Sequence, residues 1–149
     1  MRRSPAIPLA RYGAPPQFGS RINGMMQGPI DAADGKNSLS VDAGILESVW
    51  RPGSFVDAED ARDAMLAVDR ISGGTPMPML SEMTDAVFSA AARYQFAQSR
   101  GVVAIAVLGS STVDRVIASA TSRETKYPHE FFTSRTDAIA WLKEVVQSD

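Results

Sequence analysis

The chain has 149 residues, the size of one domain and enough to bury a hydrophobic core without disulfides or metals. It has no cysteine and a single histidine, His129, which excludes disulfides, thiolate metal sites, cysteine nucleophiles and histidine-rich metal sites. Four arginines and no acid fall in residues 1–24, whereas residues 25–149 hold 11 basic and 17 acidic side chains, an acidic body that argues against nucleic acid as a partner.

The first 37 residues hold five of the nine prolines and five of the eleven glycines, and no helical or alternating apolar period. Such a segment buries too little apolar surface to offset its ordering entropy, so residues 1–37 are predicted to be a flexible extension. A chain beginning at Lys36 should then keep its stability, and Met25 or Met26 offers an alternative translation start. Pro5 and Pro8 interrupt the apolar start of a signal peptide, and no apolar run approaches a membrane span. We therefore expect a cytoplasmic protein without membrane insertion.

Residues 38–149 are predicted to form the folded domain. Alternating apolar residues predict a strand over 38–42 and a returning strand over 45–50, joined by turn residues as a hairpin. Residues 57–72 have the caps and apolar spacing of a helix. Residues 77–83 follow as a strand, in which Pro78 favours a sheet edge or a strand start.

The second half of the chain alternates helices and strands. A helix is predicted from Ser89 to about residue 99, and the continuous apolar run 102–108 indicates a central strand with both faces covered. The third helix is predicted over 111–124, and its apolar stripe consists of Val113, Val116, Ile117 and Ala120. A short strand over 130–133 and a capped helix from Ser134 complete the order ββαβαβαβα. This order predicts an α/β domain with a mixed sheet of about five strands and four helices.

Two loops carry the polar residues that could form a site. Ser110 and Ser111 join the predicted central strand to a helix N-terminus, where anions bind, and Thr84 and Asp85 follow the neighbouring strand. These four residues are either helix caps and solvated loop or an anion or ligand loop. They do not assemble a nucleophile–base set, so we expect no enzyme activity, no metal site and no cofactor.

Four stretches resemble a group of small uncharacterised actinobacterial proteins of the STAS type, the fold of bacterial anti-sigma-factor antagonists. They read DAEDAR at residues 57–62, MTDAV at 83–87, AVLGSSTVDRVIA at 106–118 and FFTSRTDAIAWL at 131–142. The resemblance spans about residues 38–147, and the order ββαβαβαβα is similar to that of the STAS fold. It implies a STAS-like single domain.

The resemblance also implies a regulatory residue. In these antagonists a kinase phosphorylates a serine at the N-terminus of the helix after the third strand, and Ser89 is the matching position. The family's Asp-Ser-Ser/Gly-Gly is absent here, because Phe88 precedes Ser89 and Ala90 follows it. Ser89 is therefore predicted to be a helix N-cap first and a phospho-acceptor second.

The expected function is a non-enzymatic STAS-like regulatory or interaction module. Its partner would be another protein, and self-association into a homo-oligomer remains open. The alternative is a domain that binds a small ligand, either a lipid or a nucleotide.

Overall fold

The structure, a computed structural model, describes residues 27–147, which form eight strands and four helices. The strands are β1 (Gln27–Ala32), β2 (Asn37–Asp42), β3 (Ile45–Trp50), β4 (Phe55–Val56), β5 (Met77–Glu82), β6 (Val87–Phe88), β7 (Val102–Leu108) and β8 (His129–Phe132). The helices are α1 (Ala58–Ser72), α2 (Ala90–Ala97), α3 (Thr112–Ser122) and α4 (Arg135–Gln147).

Six strands form one mixed sheet in the order β1-β2-β3-β5-β7-β8. The pairs β1–β2 and β2–β3 are antiparallel, and the remaining pairs are parallel. The parallel pair β4–β6 forms a separate two-stranded sheet. The predicted α/β domain with a mixed sheet and four helices is confirmed, with one more strand in the main sheet than expected.

The domain begins earlier than Ser38, because strand β1, the turn over residues 33–36 and Asn37 form a hairpin within the main sheet. Strand β1 pairs with β2, Ala32 and Ala33 are buried, and the Ala33 backbone N–H donates to Asp63 Oδ2 at 2.7 Å. Gly28 adopts a φ of +89° beside an irregularity in the β1–β2 register. This irregularity interrupts the alternation of apolar and polar residues by which a strand is predicted. The predicted extension is thus corrected over 27–37, and its remainder, residues 1–26, lies outside the described residues.

Strand β7 is interior, with β5 on one side and β8 on the other, as its apolar sequence predicts. The prediction that both faces of β7 are covered is confirmed except at Val103, which is 37% exposed. Met77 is opposite Val102 whereas Pro78 is opposite Ala104, so Val103 is the extra residue of a bulge.

The same bulge lies beside Pro78 of β5. Strand β5 lies between β3 and β7, so it is not an edge strand, and Pro78 agrees with the other predicted alternative, a strand start, because it is the second residue of β5. The missing proline N–H falls where the ladder is already irregular.

The helices cover the two faces of the sheet unequally. Helices α1, α2 and α3 contribute to the larger apolar core with residues such as Val68, Ala92 and Ala118, and α4 covers the opposite face with Ala138 and Leu142.

Helix α3 buries only part of its predicted stripe, because Ile117 packs against the larger core and Ala120 is half-buried, whereas the two valines are exposed. Val113 and Val116 are each 62% exposed, and the fully buried positions are Asp114 and Ala118. Apolar spacing identified the helix correctly, but the face that meets the sheet is rotated away from the two valines.

Among residues 27–147, no helix is long and apolar enough to cross a membrane.

Candidate functional site

The loops at the carboxyl ends of β5 and β7 converge on one buried carboxylate, Asp114. Its Oδ2 accepts the backbone N–H groups of Ser110 and Ser111 at 2.9 and 3.2 Å, and its Oδ1 accepts that of Asp85 at 3.0 Å. Ser111 caps α3 in return, because its side chain accepts the Asp114 N–H at 3.1 Å. The loops are therefore tied together by a group within the chain.

The state of Asp114 follows from this geometry. Burial by itself would raise the pKa of the carboxyl, but the hydrogen bonds from Ser110, Asp85 and Ser111 outweigh burial and lower the pKa below its ordinary value. Asp114 is thus an anion at neutral pH. It occupies the N–H groups that an external anion would need.

The predicted anion loop therefore has an internal occupant. The structure does bring Asp85, Ser110 and Ser111 together, and half-buried Thr84 precedes Asp85 in the same turn. Asp85 itself is exposed and has a φ of +56°. The backbone N–H groups of Asp85, Ser110 and Ser111 are directed to Asp114 rather than outwards.

Ser89 lies apart from this loop, at the start of α2. Its side chain accepts the Ala92 N–H at 3.0 Å, which confirms the predicted N-cap, and its own N–H donates to the Val56 carbonyl at 3.0 Å. Ser89 is half-buried at the end of the β4–β6 pair.

The β4–β6 pair presents an apolar surface, which we call the β4–β6 surface and define by Phe55 and Val87. These two residues are directly opposite each other in the parallel register. Phe55 is 56% and Val87 48% exposed, whereas the adjacent Val56 and Phe88 are buried. In sequence, Ser89 follows Val87 after one buried residue, Phe88.

A cavity of about 70 Å³ lies between the sheet and helices α1, α2 and α3. Its wall is mainly apolar, with Trp50, Met79 and Phe96 among the lining residues. Trp50 and Phe96 also meet edge-to-face, with 6.0 Å between ring centroids.

Two polar side chains in this wall have unusual states. Asn37 is fully buried, and its Oδ1 has no hydrogen-bond partner among the described residues. Burial lowers the pKa of His129 to about 4, with a hydrogen bond to its own backbone raising it in part. The His129 ring is therefore neutral at pH 7.

Sequence analysis missed Asn37 and the cavity it lines. Asn37 was placed at the end of the predicted extension, whereas it begins β2 opposite Trp50. Asparagine is uncommon in strands, so its position beside the alternating apolar residues of the predicted strand 38–42 is the sequence signal that could have indicated a special role for Asn37. The residues that surround it come from most of the chain, and no local pattern joins them.

Metal binding finds no support in the described part of the chain, which contains no cluster of three or more His, Cys, Asp or Glu side chains suited to a metal. Two features of the described residues, the β4–β6 surface and the cavity, could bind something other than a metal.

Comparisons with known proteins find one matching family model and a similar solved structure. A family model described as "Domain of unknown function (DUF7793)" matches residues 39–146. The structure is similar to the crystal structure of an uncharacterized protein from the DUF3478 family, with a SpoIIAA-like fold, from Shewanella loihica PV-4. The two share 15% sequence identity, with a TM-score of 0.49, over 85% of this chain and 99% of that chain. None of the curated proteins matches the chain.

Proposed function

Because the chain belongs to the DUF7793 family, whose description states no activity, we propose its function from its own surface. The protein is a non-enzymatic STAS-like interaction module that binds a protein partner through the β4–β6 surface. The observation that carries this proposal is the exposed pair Phe55 and Val87. The resemblance of residues 38–147 to actinobacterial STAS-like proteins supports a bacterial, cytoplasmic setting.

The exposed pair is suited to a partner because it is fixed by the backbone rather than held on a mobile loop. Val87 N–H donates to the Ser54 carbonyl at 2.9 Å, and Ser89 N–H donates to the Val56 carbonyl at 3.0 Å. Adjacent apolar side chains on a rigid pair of strands lose little conformational entropy when a partner covers them. Complete burial of each would contribute roughly 1.5–3 kcal/mol. This pair would form the centre of an interface.

The non-enzymatic part of the proposal rests on the isolation of the titratable groups. His129 is neutral and half-buried, and in residues 27–147 its ring hydrogen-bonds no carboxylate that could orient it as a base. Asp114 is ionised and accepts three backbone N–H groups and, at 3.5 Å, the Ser110 hydroxyl. Neither group combines with a serine hydroxyl in the arrangement that nucleophilic catalysis requires.

Ser89 adds a regulatory element to the proposal. Phosphorylation would place about two negative charges beside Phe55 and Val87, and charge in an apolar interface weakens binding through its desolvation cost. Ser89→Asp should keep the helix cap, since aspartate caps as well as serine, but release the partner. Ser89→Ala should lower stability by about 0.5–2 kcal/mol and leave binding unchanged. Phosphopeptide mapping of the cellular protein tests whether Ser89 is modified.

The main experiment uses a photo-crosslinking amino acid at Val87 in the full chain, expressed in its own host cell. We expect a discrete covalent complex with one protein, identified by mass spectrometry, and loss of that complex in the Phe55→Ser variant. Phe55 is exposed, so Phe55→Ser should retain the wild-type melting temperature. A complex with twice the mass of the chain would identify the partner as a second copy.

A matched position serves as the control. Val116 is also an exposed valine, on α3 rather than on the β4–β6 surface, and the crosslinker placed there should not trap the same protein. If both positions give the same adducts, or if Val87 gives none above background, the β4–β6 surface is not the binding surface.

A further inference from the structure

We propose that the cavity beneath helices α1, α2 and α3 binds a small neutral molecule that has an apolar body and one hydrogen-bond donor, with Asn37 Oδ1 as its acceptor. The site is separate from the β4–β6 surface.

The first observation is the unsatisfied acceptor. The Asn37 side chain is fixed by its other end, because Nδ2 donates to Ser48 Oγ at 2.9 Å and to the Val49 carbonyl at 3.2 Å. These two bonds assign the amide orientation and leave Oδ1 as the group without a partner in the described residues. A buried carbonyl oxygen without a donor is destabilising, whereas a bound donor would satisfy it. Asn37 and Ser48 both line the cavity, so a bound molecule can reach this end of the wall.

The second observation is the absence of charge in the wall. None of the lining residues is Asp, Glu, Lys or Arg, and the histidine among them, His129, is neutral at pH 7. An ion that entered would lose its hydration and find no opposite charge. This excludes the phosphate groups of a nucleotide and the charged headgroup of a lipid, the two ligand classes that the sequence left open.

The third observation is size. A cavity of about 70 Å³ is roughly half the volume of one of about 150 Å³ that holds benzene. Three methionines, Met65, Met79 and Met83, line it, and unbranched methionine side chains adapt to a guest more readily than branched ones. The ligand body is therefore a few carbon atoms or a small ring, and a long acyl chain does not fit.

A matched pair of probes tests the proposal. Pyrrole and furan are neutral five-membered rings of nearly equal size, but pyrrole has an N–H donor and furan has none. The full-length protein, labelled at its methionine methyl groups, is titrated with each ring and followed by NMR. We expect saturable shifts at Met65, Met79 and Met83, with pyrrole bound roughly two- to tenfold more tightly, the range for one hydrogen bond to a neutral acceptor.

Two variants connect the binding to the cavity and to Asn37. Ala118→Leu, which extends a lining residue of α3 into the space, should abolish the shifts, whereas Ala120→Leu on the same helix, outside the lining, should not. Asn37→Leu should remove the preference for pyrrole, provided that its NMR spectrum is that of the folded protein.

The results can overturn either part of the proposal. If neither ring causes saturable shifts, or if Ala118→Leu leaves them unchanged, the cavity is not a binding site and water alone satisfies Asn37. Equal affinity for pyrrole and furan in the wild type would contradict the role of Asn37 Oδ1 without need of a variant that risks unfolding.

Discussion

Asp114 shows how one residue organises two loops that are distant in sequence. It is fully buried and accepts backbone N–H groups from residues 85, 110 and 111. Near the end of the sheet, a carboxylate within the fold therefore takes the place that water would have as the acceptor for these donors.

We expect Asp114→Ala to lower the free energy of unfolding by about 3 kcal/mol, because it leaves three N–H groups without their acceptor. Asp137→Ala is the matched control: Asp137 is also the third residue of a helix, and its N–H also donates to a capping serine, Ser134, but its side chain is exposed. That change should cost less than about 1 kcal/mol. Urea denaturation measures both, and equal losses would show that Asp114 acts as an ordinary helix-start acid.

His129 makes stability depend on pH. The pKa of the ring is about 4 in the fold and about 6.5 in the unfolded chain, so between these values the unfolded chain binds the proton more tightly. Stability is therefore fully present above pH 6.5 and falls as the pH is lowered towards 4, by about 2 kcal/mol between pH 7 and pH 5. Urea midpoints across this range should show that loss in the wild type and a smaller one in His129→Gln. Parallel curves for the two proteins would contradict a neutral histidine in the folded protein.

Strand β7 is the element on which both apolar cores depend. Ile105 and Val107 face the larger core, and Ala104 and Ala106 face α4. The bulge at Val103 lets Val102 join the larger core as well, while Val103 itself turns towards solvent.

This difference predicts opposite outcomes for the same substitution two residues apart. Ile105→Asp buries an unpaired charge at a position 9% exposed and should cost at least several kcal/mol, enough to prevent folding. Val103→Asp places the charge in solvent and should cost less than about 1 kcal/mol. Thermal melts followed by circular dichroism separate the two. A cooperatively folded Ile105→Asp protein would contradict the interior position of β7.

At the scale of the whole molecule, β1 closes one edge of the sheet and packs against α1. Its Ala32 and Ala33 are buried, and the Ala33–Asp63 hydrogen bond joins the turn after it to the helix. The stability of the domain should therefore depend on residues before Ser38.

A chain beginning at Lys36 should melt roughly 10 °C below a chain beginning at Gln27, because it loses an edge strand and its contacts with α1. This reverses the expectation from composition that the first 37 residues are dispensable. Calorimetry of the two purified chains makes the comparison. Equal melting temperatures would show that residues 27–35 contribute no stability, as the predicted flexible extension requires.

The sequence by itself determined the features that depend on neighbours close along the chain. The β2–β3 hairpin, the capped helix α1 and the central strand β7 follow from alternation, caps and an unbroken apolar run, because each of these signals lies within one element. The N-cap at Ser89 was identified for the same reason.

Tertiary structure alone decided which surfaces meet. The composition of residues 1–37 does not predict β1, because its pairing depends on β2 and on a glycine at positive φ. The apolar spacing of α3 likewise does not predict that Val113 and Val116 are exposed. The partners of Asp114 and the unpaired oxygen of Asn37 likewise depend on contacts between distant segments. A local pattern specifies an element, but the burial and hydrogen bonding of a side chain are set by whichever elements the fold places around it.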